Sequence, residues 1–438
     1  MKHIVFCTRH FSRDGGSTGQ YVHETVLGLL ERNPELTISV LTSNETYRGE
    51  EYGSEGEGLA GRLRLRRLRL PRLKGTGLMA RLVNDALFTA AVFVGLITGR
   101  RPDLVVVYTS PFLLPAGTRL AHLVRGFPYA YVLHDIYPEV LVATQVARDR
   151  DLFVRLLRYC QRRWLEASAA IVVLGRCMAR TLMTNYSVEA RRLHVIPHWP
   201  NPEHSEPIVG FDPPSSIVTI IYGGNLGYAQ DLETVLAAAS LAQARGVEVR
   251  FSFLVSGNHV AHWREAAEER GLRSVDFRSA VPSREYSALV ASADIGLVVL
   301  REGFAGLAVP SKLYNLLAAG KPILAVMEAA SETAMVIEEH RCGFRVDPGD
   351  DYGLQAALAM LVEDPRLRCE MGQRARRAAQ RTYPFGLAVE RFQHMIEEVR
   401  REAIGTQTTR DDANRFTSPA SAANPLDRPD LTGRRRQT

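Results

Sequence analysis

Cysteine is scarce and scattered in this chain. The 438 residues hold five, Cys7, Cys160, Cys177, Cys342 and Cys369, and no two form a CxxC pair. This argues against a disulfide framework and against a cysteine zinc site, and it fits a reducing compartment. No apolar run is long and clean enough to span a membrane: the best candidate, Leu78 to Thr98, contains Arg81, Asn84 and Asp85. The N-terminal Ile4-Val5-Phe6-Cys7 is too short for a signal peptide and reads as a first strand. A GxGxxG dinucleotide fingerprint is missing. Aromatic residues make up 8% and do not interleave the one dense basic stretch, which argues against nucleic acid. The net charge of +6 fits an anionic partner without choosing one.

What is present is apolar material, 46% of the residues, enough for two domains with cores of their own. The first strand runs into Gly15-Gly16-Ser17-Thr18-Gly19. A helix from Tyr21 to Leu30 and a strand from Leu36 to Thr42 follow. A β–Gly loop–α–β unit predicts a parallel sheet. Residues 43–60 are polar and Gly-rich and read as a mobile loop. Between Gly61 and Asn84 there are eight Lys or Arg and no acid. Arg62, Arg64, Arg66, Arg67, Arg69, Arg72 and Lys74, beside an apolar helix, suit an anionic bilayer surface. An edge strand plus a core helix would read the same way.

Strands at Leu104–Tyr108 and Tyr129–Leu133 continue the series. The second ends in His134-Asp135-Ile136-Tyr137-Pro138-Glu139, at the carboxyl end of a strand, where open α/β sheets bind ligands. There His134 could donate a hydrogen bond and Asp135 could orient it or take a proton; the pair could equally hold a turn. Strands at Ala170–Leu174 and Leu193–Ile196 precede the proline-rich Pro197–Pro202. That stretch and residues 203–215 read as a linker. A second βα series opens at Ile217–Tyr222 and turns through Gly223-Gly224-Asn225-Leu226-Gly227. Its next strand ends in Ser256-Gly257-Asn258. A later helix is expected to start at Pro310 and stop at Gly320-Lys321-Pro322. Its first turn, Ser311-Lys312, favours an anion, although an ordinary amphipathic helix with an exposed Lys fits too. Residues 404–438 lack apolar periodicity and are expected to be a disordered tail.

Four segments together resemble the family 4 glycosyltransferases of the GT-B fold, in the branch that builds colanic acid, O-antigen and exopolysaccharide. They are Gly15–Val22, His134–Glu139, Tyr222–Gly227 with Gln230, and Val309–Leu313 through Pro322; the resemblance spans about residues 1–402. It implies an α/β protein of two Rossmann-like domains facing a central cleft. Residues 1–205 would bind acceptor and 206–384 the nucleotide sugar, with a helix over 385–403 crossing back to the first domain. Donor contacts would come from Gly224, Asn225, Gln230, Gly257, Ser311, Lys312 and Asn315, with the base near Arg278 and Val281. Gly15, Gly16 and Thr18 would face the acceptor, and His134, Asp135 and Lys312 would act at the reacting centre. The family retains anomeric configuration without a metal or a resident cofactor; the nucleotide sugar is a co-substrate. A lipid-linked saccharide acceptor and a cytoplasmic place, on the inner face of the cell membrane, follow from the same likeness.

Departures matter. Where many relatives carry an Arg and, five residues later, a Lys, this chain has Asn225 and Gln230. Of the usual pair of Glu, the second falls on Asn315 and the first on Leu307, with Glu302 reached only through an insertion. Lys312 is then the main cationic phosphate partner expected. A pseudo-transferase acting as a scaffold, or a nucleotide-sugar epimerase, are the competing readings.

Overall fold

The computed structural model describes residues 2–11, 16–44, 61–71, 73, 78–201 and 217–417. Gly15, Arg72, Lys74, most of the 43–60 loop and the 203–215 linker lie outside the described residues. The first half comprises β1 (His3–Cys7), α1 (Gly16–Arg32), β2 (Thr37–Ser43), β3 (Leu63–Leu68), α2 (Leu78–Thr98), β4 (Leu104–Tyr108), α3 (Leu114–Arg125), β5 (Tyr129–Leu133), α4 (Glu139–Ala143), α5 (Leu152–Ala167), β6 (Ala170–Val173), α6 (Arg176–Tyr186) and β7 (Leu193–Val195). Its seven strands form one parallel sheet in the order β3-β2-β1-β4-β5-β6-β7. Strands β1, β4, β5 and β6 are buried at every position, as expected of parallel strands covered on both faces.

The second half repeats the plan with β8 (Val218–Asn225), α7 (Glu233–Ala244), β9 (Val249–Ser256), α8 (Val260–Glu269), β10 (Val275–Ser279), α9 (Ser283–Ser292), β11 (Ile295–Val299), α10 (Lys312–Ala318), β12 (Ile323–Val326), α11 (Glu332–His340), β13 (Gly343–Val346), α12 (Asp351–Glu363) and α13 (Pro365–Thr382). Its six strands run in the order β10-β9-β8-β11-β12-β13. Each order reverses once, between β1 and β4 and between β8 and β11. Open α/β sheets bind ligands outside the carboxyl ends at such reversals. One apolar cluster is continuous across the two sheets, joining Leu174, Cys177 and Met178 to Leu307, Val309 and Tyr314.

Several expectations shift. The helix α1 starts at Gly16, so Gly16 and Thr18 lie in its first turn and not in a loop before it. Strand β3 is the sheet edge, with Leu63 buried and Arg64 and Arg66 exposed, so the alternation reported an edge strand. Arg62 faces inward to the end of α1 and donates to the carbonyls of Leu30 (2.7 Å) and Asn33 (3.0 Å). The final helix, α14 (Phe385–Thr417), does not stop at 403 but continues through fourteen residues that were expected to be unstructured. At its start, Phe385 and Val389 close over Gly28 of α1, and the Phe385 ring lies 5.3 Å from that of Trp199.

Candidate active site

The carboxyl end of β8 is built from glycine for a geometric reason. Gly224 has φ +117° and Gly257, at the end of neighbouring β9, has φ +122°, conformations that a side chain strains. A side chain at 257 would also collide with the Asn225 amide and the Leu226 carbonyl. The turn between them is held from within. Gln230 Oε1 accepts the Gly227 N–H at 2.9 Å, and the Tyr222 hydroxyl donates to the Asn225 carbonyl at 3.2 Å. Gln230 therefore shapes the loop with its oxygen, while Asn225 and Gly224 are exposed at the mouth.

Lys312 is the cation at this turn. Its ammonium sits 3.5 Å above the centroid of the Tyr222 ring and beside Gly224. Burial pushes its pKa down to about 7. The charge is held by a ring face. The helix behind it begins at Lys312, two residues later than expected, with Ser311 as its cap. It has seven residues, under two turns, and the Ser311 side chain accepts no backbone N–H. The helix dipole is correspondingly small, and the lysine carries the electrostatics.

The acceptor-side motif meets this helix directly. Asp135 forms an antiparallel bridge with Ala308, and the Ile136 N–H donates to the Leu307 carbonyl at 3.0 Å. Thus His134-Asp135, at the end of β5, lies against the strand of chain that leads into Ser311-Lys312. Thr109 Oγ1 accepts the His134 backbone N–H at 3.0 Å. Burial lowers the His134 imidazole to about 4 and raises the Asp135 carboxyl to about 6. Near neutral pH the histidine is uncharged and the aspartate ionised. The first can donate one N–H to a hydroxyl, and the second can accept a proton.

The remaining expected residues are spread over both halves. Asn315 Oδ1 accepts the backbone N–H of Asn201 at 2.9 Å, so that oxygen anchors the segment that follows β7, while its amide NH2 keeps two donors. Arg278 lies on the edge strand β10 and pairs with Asp276 at 2.6 Å; both are exposed. Val281 is half-buried just beyond that strand, and Glu302 is exposed in the turn after β11. Thr18 is half-buried in α1.

Some contributors escaped sequence reading. Glu328 accepts the N–H groups of Gly303 (2.8 Å) and Ala305 (3.3 Å), fixing the loop before Lys312. Lys321, in the Gly-Lys-Pro turn, donates to the carbonyls of Ala291 and Ala293, each at 2.6 Å, and so caps α9. Its place in that turn was visible, but its partners were not. Tyr21 of α1 stacks on His198 at 3.7 Å. Among the described residues, no group of three or more His, Cys, Asp or Glu side chains is placed to hold a metal ion.

Comparison with known proteins agrees with this fold. Residues 16–199 match the model of the glycosyl transferase 4-like domain, and residues 217–364 that of glycosyl transferases group 1. The chain is 31% identical over 320 residues to WbjE of Pseudomonas aeruginosa, which carries a glycosyltransferase name; the match covers 70% of this chain and 78% of WbjE. It is 26% identical over 281 residues to WcaI of Escherichia coli K12, named for colanic acid biosynthesis, covering 60% of this chain and 68% of WcaI. Anabaena HepE, solved in complex with UDP, superposes with a TM-score of 0.63 at 13% identity, covering 91% of this chain and 100% of HepE. The chain belongs to the family 4 glycosyltransferases and has their GT-B fold.

Proposed function

We propose that this protein is a retaining, metal-independent glycosyltransferase. It moves a sugar from a nucleoside-diphosphate sugar to a polyprenyl-linked saccharide in surface polysaccharide synthesis. The observation that carries the reading is Lys312 Nζ at the Gly224 turn, with the bridge between Asp135 and Ala308 bringing the acceptor-side motif to the same helix start. The colanic acid role in the name of WcaI and the UDP bound to HepE support the substrate classes.

In this reading the diphosphate lies between the Gly224 turn and Lys312. The acceptor hydroxyl enters from the His134 side. As the glycosidic C–O bond to the diphosphate breaks, negative charge grows on the leaving oxygen and Lys312 stabilises it. The hydroxyl attacks from the same face, and its proton passes to the departing phosphate. His134 orients the hydroxyl, Asp135 supports the positive charge that develops on the sugar ring, and the joined loops hold both substrates in line. A panel of nucleotide sugars incubated with a lipid-linked acceptor tests this. Release of nucleoside diphosphate that depends on the acceptor is expected. Isomerised donor without acceptor would favour an epimerase, and no binding of any nucleoside diphosphate would favour a scaffold.

The membrane side of the proposal rests on apolar side chains exposed on adjoining helices: Met79, Leu87 and Val94 on α2, Leu123 and Val124 on α3, and Leu152 and Leu156 on α5. With the exposed Arg64, Arg66 and Arg69 they suit an anionic bilayer surface on the cytoplasmic side. Among the described residues no helix is long and apolar enough to cross a membrane. At about 1 kcal/mol per basic residue, changing all three arginines to glutamine should weaken binding to phosphatidylglycerol vesicles by about 100-fold. Unchanged co-sedimentation would return β3 to the role of a plain edge strand.

A further inference from the structure

We propose that His198 is a positioning residue for the transfer. Its ring holds the His134 imidazole in the cleft and ties it to the chain segment that joins the two sheets. This rests on the glycosyl-transfer reading above and adds a residue to it. His198 follows β7, in the run Pro197-His198-Trp199-Pro200-Asn201, and is 6% exposed. One face stacks on Tyr21 of α1, with centroids 3.7 Å apart and planes at 16°. The His134 ring meets it edge-on, at 5.2 Å and 86°, and Tyr314 of α10 meets it at 6.3 Å and 86°. Edge-to-face and stacked ring pairs are favoured geometries, so the three neighbours leave His198 little freedom.

The same segment is pinned at both ends. The Tyr21 hydroxyl donates to the Trp199 carbonyl at 3.1 Å. The Asn201 N–H donates to Asn315 Oδ1 at 2.9 Å, on the helix that Lys312 begins. A short run of chain thus connects the acceptor-side imidazole to the helix bearing the phosphate cation.

The pair of imidazoles also has an electrostatic consequence. Burial holds both below the usual histidine range, and His134 further opposes the protonation of His198. The titratable groups against them are Tyr21 from α1, Tyr108 from β4 and Tyr314 from α10, with Asp135 next in sequence; burial pushes the three phenols up. A neutral His134 keeps one donor and one acceptor and does not compete with Lys312 for the diphosphate.

The test uses His198→Leu and His198→Phe in the full chain. The His134 imidazole is titrated by NMR between pH 3.5 and 8, without substrate, alongside steady-state kinetics. His198→Leu removes the flat ring while keeping the site apolar. Without its edge-on partner the His134 ring should turn toward water and titrate above its wild-type position of about 4, the acceptor KM should rise about tenfold, and the donor KM should stay within twofold. His198→Phe keeps the stack, so the His134 titration should stay in place and turnover should fall by about threefold. If His134 titrates as in wild type in the leucine variant, the inference is overturned; an unchanged acceptor KM in an active enzyme overturns it as well. A wild-type protein that turns over no nucleotide sugar would overturn the transfer reading, while the titration would still report whether His198 holds His134.

Discussion

Lys312→Ala lowers turnover by about 100- to 1,000-fold, the range for losing one group that stabilises the charge of a leaving oxygen. The effect is large because the Lys312 ammonium is the charge held beside Gly224, while Asn225 and Gln230 carry none and the Gln230 oxygen is taken by the Gly227 N–H. The same residue sets the alkaline side of the pH profile. Its ammonium loses its proton at about 7 in the free enzyme. The Asp135 carboxyl is protonated below about 6. The pH dependence of kcat/KM reports free-enzyme groups. It should therefore be bell-shaped, falling below about 6 as Asp135 gains a proton and above about 7 as Lys312 loses one. For folding the sign is opposite on the alkaline side. Because the folded pKa of Lys312 lies below its unfolded value, its contribution to stability rises with pH between about 7 and 10.5. Measured kcat/KM that stays flat from pH 5 to 9 would remove both residues from the chemistry.

Glu332→Ala should destabilise the protein by about 3 kcal/mol, at the lower end of the cost of breaking a buried ion pair. Glu332 is 4% exposed and comes from α11 of the second half. It accepts the Arg176 backbone N–H at 2.6 Å and its Nε–H at 3.0 Å, at the start of α6 in the first half. Removing it leaves a helix N-terminus and a guanidinium short of their partner. The cost is held to the lower end because Arg176 also pairs with Glu339 and is partly exposed. Urea unfolding at pH 7 measures it, and Glu332→Gln, which keeps an acceptor oxygen, should lose about half as much. A loss below about 0.5 kcal/mol would mean that the contact does not hold the halves together.

Much of the fold was legible because its signals are local. A strand, a Gly-rich turn and a helix recur at Phe6–Tyr21 and at Tyr222–Leu232, and parallel sheets follow from that order. Of the two motifs that meet, His134-Asp135 was visible at the carboxyl end of a strand and Ser311-Lys312 in the first turn of a helix. What was not legible depends on partners far away in sequence. Nothing near Asn315 announces that its oxygen holds the N–H of Asn201, 114 residues away. Nothing near Glu332 announces Arg176, 156 residues away. The continuation of α14 past residue 403 has another cause. Extending a helix costs far less than nucleating one, so a running helix can cross residues with no apolar pattern.

Transfer as proposed needs a diphosphate between the Gly224 turn and Lys312. A crystal structure of the protein with UDP tests it most directly. Phosphate oxygens are expected within about 3 Å of Lys312 Nζ, with the ammonium drawn off the Tyr222 ring and a phosphate against the Gly224 backbone. UDP bound with its phosphates turned away from Lys312, or held at another face of the protein, would contradict it.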